Sequence, residues 1–151
     1  MQDAYRRAHD ALLDDRVCPP GPVFLGGKSL GARVAAELVS RRAEGEGLLA
    51  AGLVFLGFPL HAPGKKDQPR LQPLRRIDVP SLFIAGTHDP FCDVETLRKA
   101  MAALEHPGTL YLVEGGDRSL HVPASTGLTV DDVYLRVAQE IARFVLDPRR
   151  L

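Results

Sequence analysis

The stretch Val23-Phe24-Leu25-Gly26-Gly27-Lys28-Ser29-Leu30-Gly31-Ala32-Arg33 decides how this chain is read. Val23 to Leu25 is an apolar run of strand type, and Ala32 to Arg42 is amphipathic at helical spacing. Between them, Gly27-Lys28-Ser29-Leu30-Gly31 spells G-x-S-x-G. Strand, G-x-S-x-G, helix is the pattern of a nucleophile elbow. The demand behind it is steric. A serine on so tight a turn is held in a strained backbone conformation that lifts its Oγ above the sheet. Little side-chain volume fits two residues before it or two after it, and Gly27 and Gly31 meet that demand. The helix starting at the serine aims its first amides at the same spot. The Leu30 N–H is thereby expected to donate to an oxyanion.

Two other readings compete. Gly27-Lys28-Ser29 also ends like a phosphate loop, G-x-x-x-x-G-K-[ST]. The register is wrong for it: position 22 is Pro22, and Gly21 leaves one residue too many. Val23 to Leu25 would also be needed in a phosphate-wrapping turn rather than in a strand. The plainer alternative is a tight strand-to-helix turn in which Ser29 is only the N-cap.

The chain has 151 residues, with 19 Lys and Arg balancing 19 Asp and Glu, enough for one domain, 1–151, with its own core. Zero formal net charge gives no basic surface for nucleic acid. No apolar run reaches the length of a membrane span, and Met1 to His9 is polar and helical rather than a signal peptide. Cys18 and Cys92 have no metal-ligand spacing. Reduced thiols in a cytoplasmic protein are the expectation.

Along the chain, Asp3 to Leu13 carries apolar residues at helical spacing. After the elbow and its helix, Leu53 to Leu56 is a buried strand and Phe58 to Pro80 a long loop. Ser81 to Ala85 is a third strand, Val94 to Leu104 a helix, Leu110 to Val113 a fourth strand, and Asp131 to Val145 a closing helix. Such alternation predicts an α/β fold with about four parallel strands and helices on both faces. In sheets of this kind the working residues lie on loops after the carboxyl ends of strands.

Those loops carry Ser29, then His88 and Asp89, then Asp117, Arg118, Ser119 and His121. The order is nucleophile, acid, histidine. A histidine would take the serine proton, and a carboxylate would fix its tautomer and stabilise its cation. Asp89 follows a strand at once and is the better acid; the alternative is that it only caps the next turn. Asp93 reads as the cap of the following helix. Among the histidines, His88 adjoins Asp89 and should point elsewhere, His61 lies in the loop after the second strand, and His121 is in the right loop for a base.

Four blocks carry a resemblance over most of the chain. They are Phe24 to Arg33; Phe58-Pro59-Leu60-His61-Ala62-Pro63-Gly64-Lys65; Gly86-Thr87-His88-Asp89-Pro90-Phe91; and Glu114-Gly115-Gly116-Asp117-Arg118-Ser119-Leu120. With them the chain resembles the α/β-hydrolase superfamily, in particular the dienelactone-hydrolase-like branch that includes the Tex-type proteins and a subunit of the NSL chromatin complex. The resemblance implies the C-terminal half of that fold, lacking its N-terminal strands. The elbow strand would then be an edge open to self-association or a partner chain. One oxyanion donor would also be lost, at a cost of roughly 2.7–4 kcal/mol in transition-state stabilisation.

A second departure is chemical. The last block usually reads Gly-x-Asp-His-Ser, with the histidine as base, and here that position is Arg118. An arginine stays protonated and cannot accept the serine proton. Either His121 reaches back across one turn, or the triad is broken. The implied activity is a serine hydrolase of the carboxylesterase or acyl-hydrolase type. Its expected catalytic set is Ser29, Asp89 and His121, with Leu30 N–H on the oxyanion and His61 and Arg118 as pocket candidates. Its substrate would be a small ester or acyl compound, with no metal or cofactor. The alternative is a hydrolase-like module that binds proteins without catalysis.

Overall fold

The computed structural model describes residues 1–14, 16, 21–106 and 108–147; Cys18 lies outside them. The order is α1 (Gln2–Leu12), β1 (Phe24–Lys28), α2 (Leu30–Ser40), β2 (Gly52–Leu56), β3 (Ser81–Gly86), α3 (Val94–Ala102), β4 (Gly108–Val113) and α4 (Val130–Val145). The four strands form one parallel sheet in the order β1-β2-β3-β4. The alternation of strand and helix anticipated from the sequence is present, so the chain is an α/β fold with β1 at a sheet edge.

Side-chain alternation along the central strands builds two cores. Leu53, Phe55, Phe83 and Ala85 point to the face covered by Ala32, Ala35, Leu38 and Val39 of α2 and by Leu97 and Ala100 of α3. Val54, Leu82 and Ile84 point to the other face, where Val133, Val137 and Phe144 of α4 cover them. Both faces of β2 and β3 are therefore buried, and these strands are apolar runs rather than alternating ones. Phe55, Phe58 and Phe83 meet edge-on or tilted at centroid separations of 4.9 to 6.3 Å. Each such aromatic pair adds about 0.5–1.5 kcal/mol beyond the area it buries. This cluster stiffens the carboxyl end of β2, from which one of the site loops leaves.

The helix ends have local causes. Asp93 accepts from Thr96 N–H at 2.8 Å and caps α3, as its spacing implied. Thr129 and Asp132 make a reciprocal capping box at the start of α4. α1 lies over the first strand's neighbourhood: its Tyr5 hydroxyl donates to the Gly26 carbonyl of edge strand β1, and buried His9 donates from Nε2 to the Leu49 carbonyl at 2.8 Å. No helix among the described residues is long and apolar enough to cross a membrane.

The register sets Lys28 beside Leu56, Leu56 beside Ile84, and Gly86 beside Val113. The carboxyl ends of all four strands thus finish close to one level. The loops that leave them meet there.

Candidate active site

Ser29 sits where β1 turns into α2, with φ 54° and ψ −116°. That backbone conformation is sparsely populated for any residue with a side chain and costs of order 1–3 kcal/mol. It is held from both sides: the Ser29 N–H donates to the Leu56 carbonyl at 2.8 Å, and the Ser29 carbonyl accepts from Arg33 N–H at 3.3 Å. The strain that the G-x-S-x-G spacing predicts is present at the serine itself.

The two flanking glycines differ. A Cβ on Gly27 would stand 2.4 Å from the Gly31 carbonyl carbon and 2.7 Å from the Ala32 nitrogen, so the turn closes only over a hydrogen. A Cβ on Gly31 would meet nothing within 4 Å. The expectation that Gly31 is sterically required is therefore corrected. The closing contact is made by the Gly31 backbone on Gly27.

Arg118, from the loop after β4, donates from Nη2 to Ser29 Oγ. Its guanidinium also lies over the Phe91 ring, 4.4 Å from the centroid. The arginine thus stands where the resemblance places a histidine, and it is in contact with the serine. The loop geometry explains this. Asp117 Oδ1 accepts from Ser119 N–H at 2.7 Å and from His121 N–H at 2.9 Å, while Asp117 N–H donates to the His121 carbonyl. These bonds fold residues 117–121 into a closed turn, with Leu120 at φ 66°. The turn presents Arg118 to the serine. These backbone bonds, His121 N–H foremost, hold the Asp117 carboxyl below the usual aspartate range.

His121 is placed differently from the sequence expectation. Its side chain is 54% exposed, its Nδ1 stands 3.7 Å from Asp117 Oδ2, and it does not line the cleft above Ser29. Both its backbone N–H and its ring are turned to Asp117, and not to Ser29.

Asp89, from the loop after β3, is 6% exposed, while the side chain of its neighbour His88 faces solvent. Asp89 Oδ1 accepts from Phe91 N–H at 2.8 Å, so it does cap the turn. Oδ2 is buried with no partner among the described residues. Burial pushes the carboxyl above its ordinary value; the Phe91 amide and the charges of Arg118 and His61 pull it part of the way back, against the opposing push of Asp117. Gly57, at φ 58°, lets the chain pass beneath: its added Cβ would stand 3.1 Å from the Arg118 carbonyl oxygen and 3.5 Å from Asp89 Oδ2.

His61 completes the arrangement from the loop after β2. It is 9% exposed, and its ring lies tilted by 33° against that of Phe91, with the centroids 5.7 Å apart. Its Nδ1 is 2.9 Å from the Ala62 carbonyl. A carbonyl only accepts, so Nδ1 carries the hydrogen and, in the neutral ring, Nε2 carries the lone pair. Nε2 is buried without a partner among the described residues. Ser29, Leu30, His61, Phe91 and Arg118, with Arg33 and Arg70, line a single cleft of about 230 Å³. All four post-strand loops therefore supply this cleft or its floor. Phe91 was quoted in the sequence only as part of a matching block; its position two residues after the acid is the signal that it would share the acid's loop. Among the described residues no group of three or more His, Cys, Asp or Glu is arranged to hold a metal ion.

Comparison with known proteins gives the same architecture. The model of a family described as an alpha/beta hydrolase domain matches residues 1–146. Among solved structures, the esterase domain of a Rhodothermus marinus protein aligns with a TM-score of 0.63 at 18% identity, over 95% of this chain and 68% of that one. Dienelactone hydrolase from Anabaena variabilis gives 0.64 at 18% identity, over 96% and 59%. An α/β serine hydrolase without a lid from Xanthomonas campestris gives 0.60 at 21%, over 96% and 57%. The chain spans between about half and two thirds of the length of these proteins.

Proposed function

The chain belongs to the alpha/beta hydrolase domain family, and on that premise we propose that it is a serine hydrolase of the carboxylesterase or acyl-hydrolase kind, with Ser29 as its nucleophile. The observation that carries this reading is the Ser29 backbone, φ 54° and ψ −116°, at a strand-to-helix turn that lines one cleft with the loops after the other three strands. A turn that only reversed the chain would have no need of this strain at a residue with a side chain.

In the proposed reaction Ser29 Oγ adds to the carbonyl carbon of a small ester. The developing oxyanion lies at the N-terminus of α2, where the Leu30 N–H is one of the first-turn amides without an intrahelical partner. Collapse expels the alcohol and leaves an acyl-serine, which water hydrolyses. Asp89 supports the loop that carries Phe91 and faces the Arg118 charge. Ester hydrolysis by the purified chain, compared with Ser29→Ala, tests the reading. Activity that disappears with the hydroxyl is expected, and activity that survives its removal rules Ser29 out.

A second reading rests on Arg118. Its guanidinium occupies Ser29 Oγ and cannot accept a proton, which suits a hydrolase-like module that binds a protein without turnover. Arg118→His separates the two readings at this position. A rise in ester hydrolysis means that the missing base was the defect; no rise in a folded variant removes that explanation.

A further inference from the structure

His61 is left over by the arrangement described so far. It is a buried imidazole whose hydrogen is committed and whose lone pair is not. The Ala62 carbonyl at 2.9 Å fixes the hydrogen on Nδ1, and the ring packs, tilted, against Phe91. Nε2 has no partner among the described residues, and the residue lines the same cleft as Ser29. An unpaired buried acceptor costs about 1–3 kcal/mol, which a donor brought to it would recover; Ser29 is not hydrogen-bonded to it here and would have to approach it across the shared cleft.

Ser29 offers that donor. Its Oγ already accepts from Arg118, so the oxygen is held from one side while its own hydrogen stays available to be given away. We propose that His61 Nε2 is the proton acceptor for Ser29, with Arg118 holding the oxygen that gives the proton up. The proposal rests on the serine-hydrolase reading and names the base that reading lacks. The two tasks that one histidine performs in a Ser-His-Asp triad are divided here. The imidazole accepts the proton, and the fixed positive charge of Arg118 stabilises the oxygen as it becomes anionic. Nδ1 is oriented by a backbone carbonyl instead of a carboxylate.

The proton balance closes. As Ser29 Oγ bonds to the ester carbon, its proton passes to Nε2. When the tetrahedral intermediate collapses, that proton leaves on the departing alcohol. In the second half, water gives a proton to Nε2 as its oxygen adds to the acyl carbon. The proton then returns to Ser29 Oγ as the carboxylic acid departs. The charged groups that face His61 are Arg33, Arg70 and Arg118 in the cleft wall and Asp89 near the floor.

The test is the rate at which a fluorophosphonate modifies Ser29, followed by mass spectrometry across the pH range. His61→Asn keeps an amide donor for the Ala62 carbonyl and deletes Nε2. We expect its labelling rate to fall at least about 100-fold, as for loss of a general base, and its rate to lack the acid-side decline expected of the wild type. Added imidazole should restore labelling to His61→Gly, which a purely structural histidine would not allow. Wild-type rates in a folded His61→Asn, or an acid-side decline that persists there and disappears instead in His121→Ala, would overturn the proposal while leaving the hydrolase reading standing. A folded wild type in which Ser29 takes no label at any pH would overturn both.

Discussion

Gly27 and Gly31 stand two residues either side of Ser29 and meet opposite surroundings. Gly27→Ala would drive a methyl into the backbone of α2, and strand and helix would have to part. A loss of more than about 2 kcal/mol is expected by denaturant unfolding. Gly31→Ala places its methyl in open space within the first turn of a helix and should gain about 0.5–1 kcal/mol through reduced backbone entropy. Asp89 gives a prediction with a sign in pH. Its folded-state value is raised, chiefly by burial, so the folded protein holds the Asp89 proton more tightly than the unfolded chain does. Stability from this group is then present at low pH and is lost as pH rises from the ordinary aspartate range through the raised value. Asp89→Asn removes that loss. Its Tm should exceed the wild type's at neutral pH, and the difference should close as the pH falls below the ordinary aspartate range. An advantage that grows toward acid would contradict the assignment. Cys92 is 1% exposed, and burial, with Asp89 and Asp93 beyond it, pushes its thiol up to about 12. In a Cys18→Ser background, a disulfide reagent at pH 8 should leave Cys92 unmodified until the protein is unfolded.

At the scale of elements, α4 is the helix that covers one face of the sheet, through Val133, Val137 and Phe144, with Leu120, Val122 and Leu128 of the preceding segment packed beside it. Its start is fixed by Thr129, whose Oγ1 accepts from Asp132 N–H at 3.1 Å while Asp132 Oδ2 accepts from the Thr129 amide at 2.8 Å. Thr129→Ala should cost about 1 kcal/mol. The loss belongs to a helix whose inner face lies beside Leu120, at the end of the turn that presents Arg118. The variant's Ser29 labelling rate therefore reports whether that turn depends on α4. The elements themselves were legible in the sequence. The apolar runs read at Leu53 to Leu56 and Ser81 to Ala85 lie within β2 and β3, and burial of both their faces is what makes them continuous rather than alternating. Asp93 and its helix start were also readable, because a cap is a local hydrogen bond between near neighbours.

Across the whole molecule, four strands of one parallel sheet deliver their loops to a single cleft; the order of candidate residues along the chain pointed to three of these loops, and the loop after β2 entered only through the pocket candidate His61. The direction of side chains within a loop was not legible in the same way. Spacing alone puts His121 within reach of the serine, yet the bonds of Asp117 to the Ser119 and His121 amides present Arg118 to the serine instead. No periodicity encodes such a turn. His61 was visible as a pocket candidate, but its value lies in a tautomer set by the Ala62 carbonyl, a contact between folded backbone and ring that no sequence pattern encodes. The central claim is that the strained serine is an activated nucleophile. Its most direct test is stoichiometric fluorophosphonate labelling of the purified, folded chain, with the modified residue mapped by mass spectrometry. The account predicts close to one label per chain, on Ser29 and absent from Ser29→Ala. A folded protein that takes no label, or takes it on another residue, would contradict it.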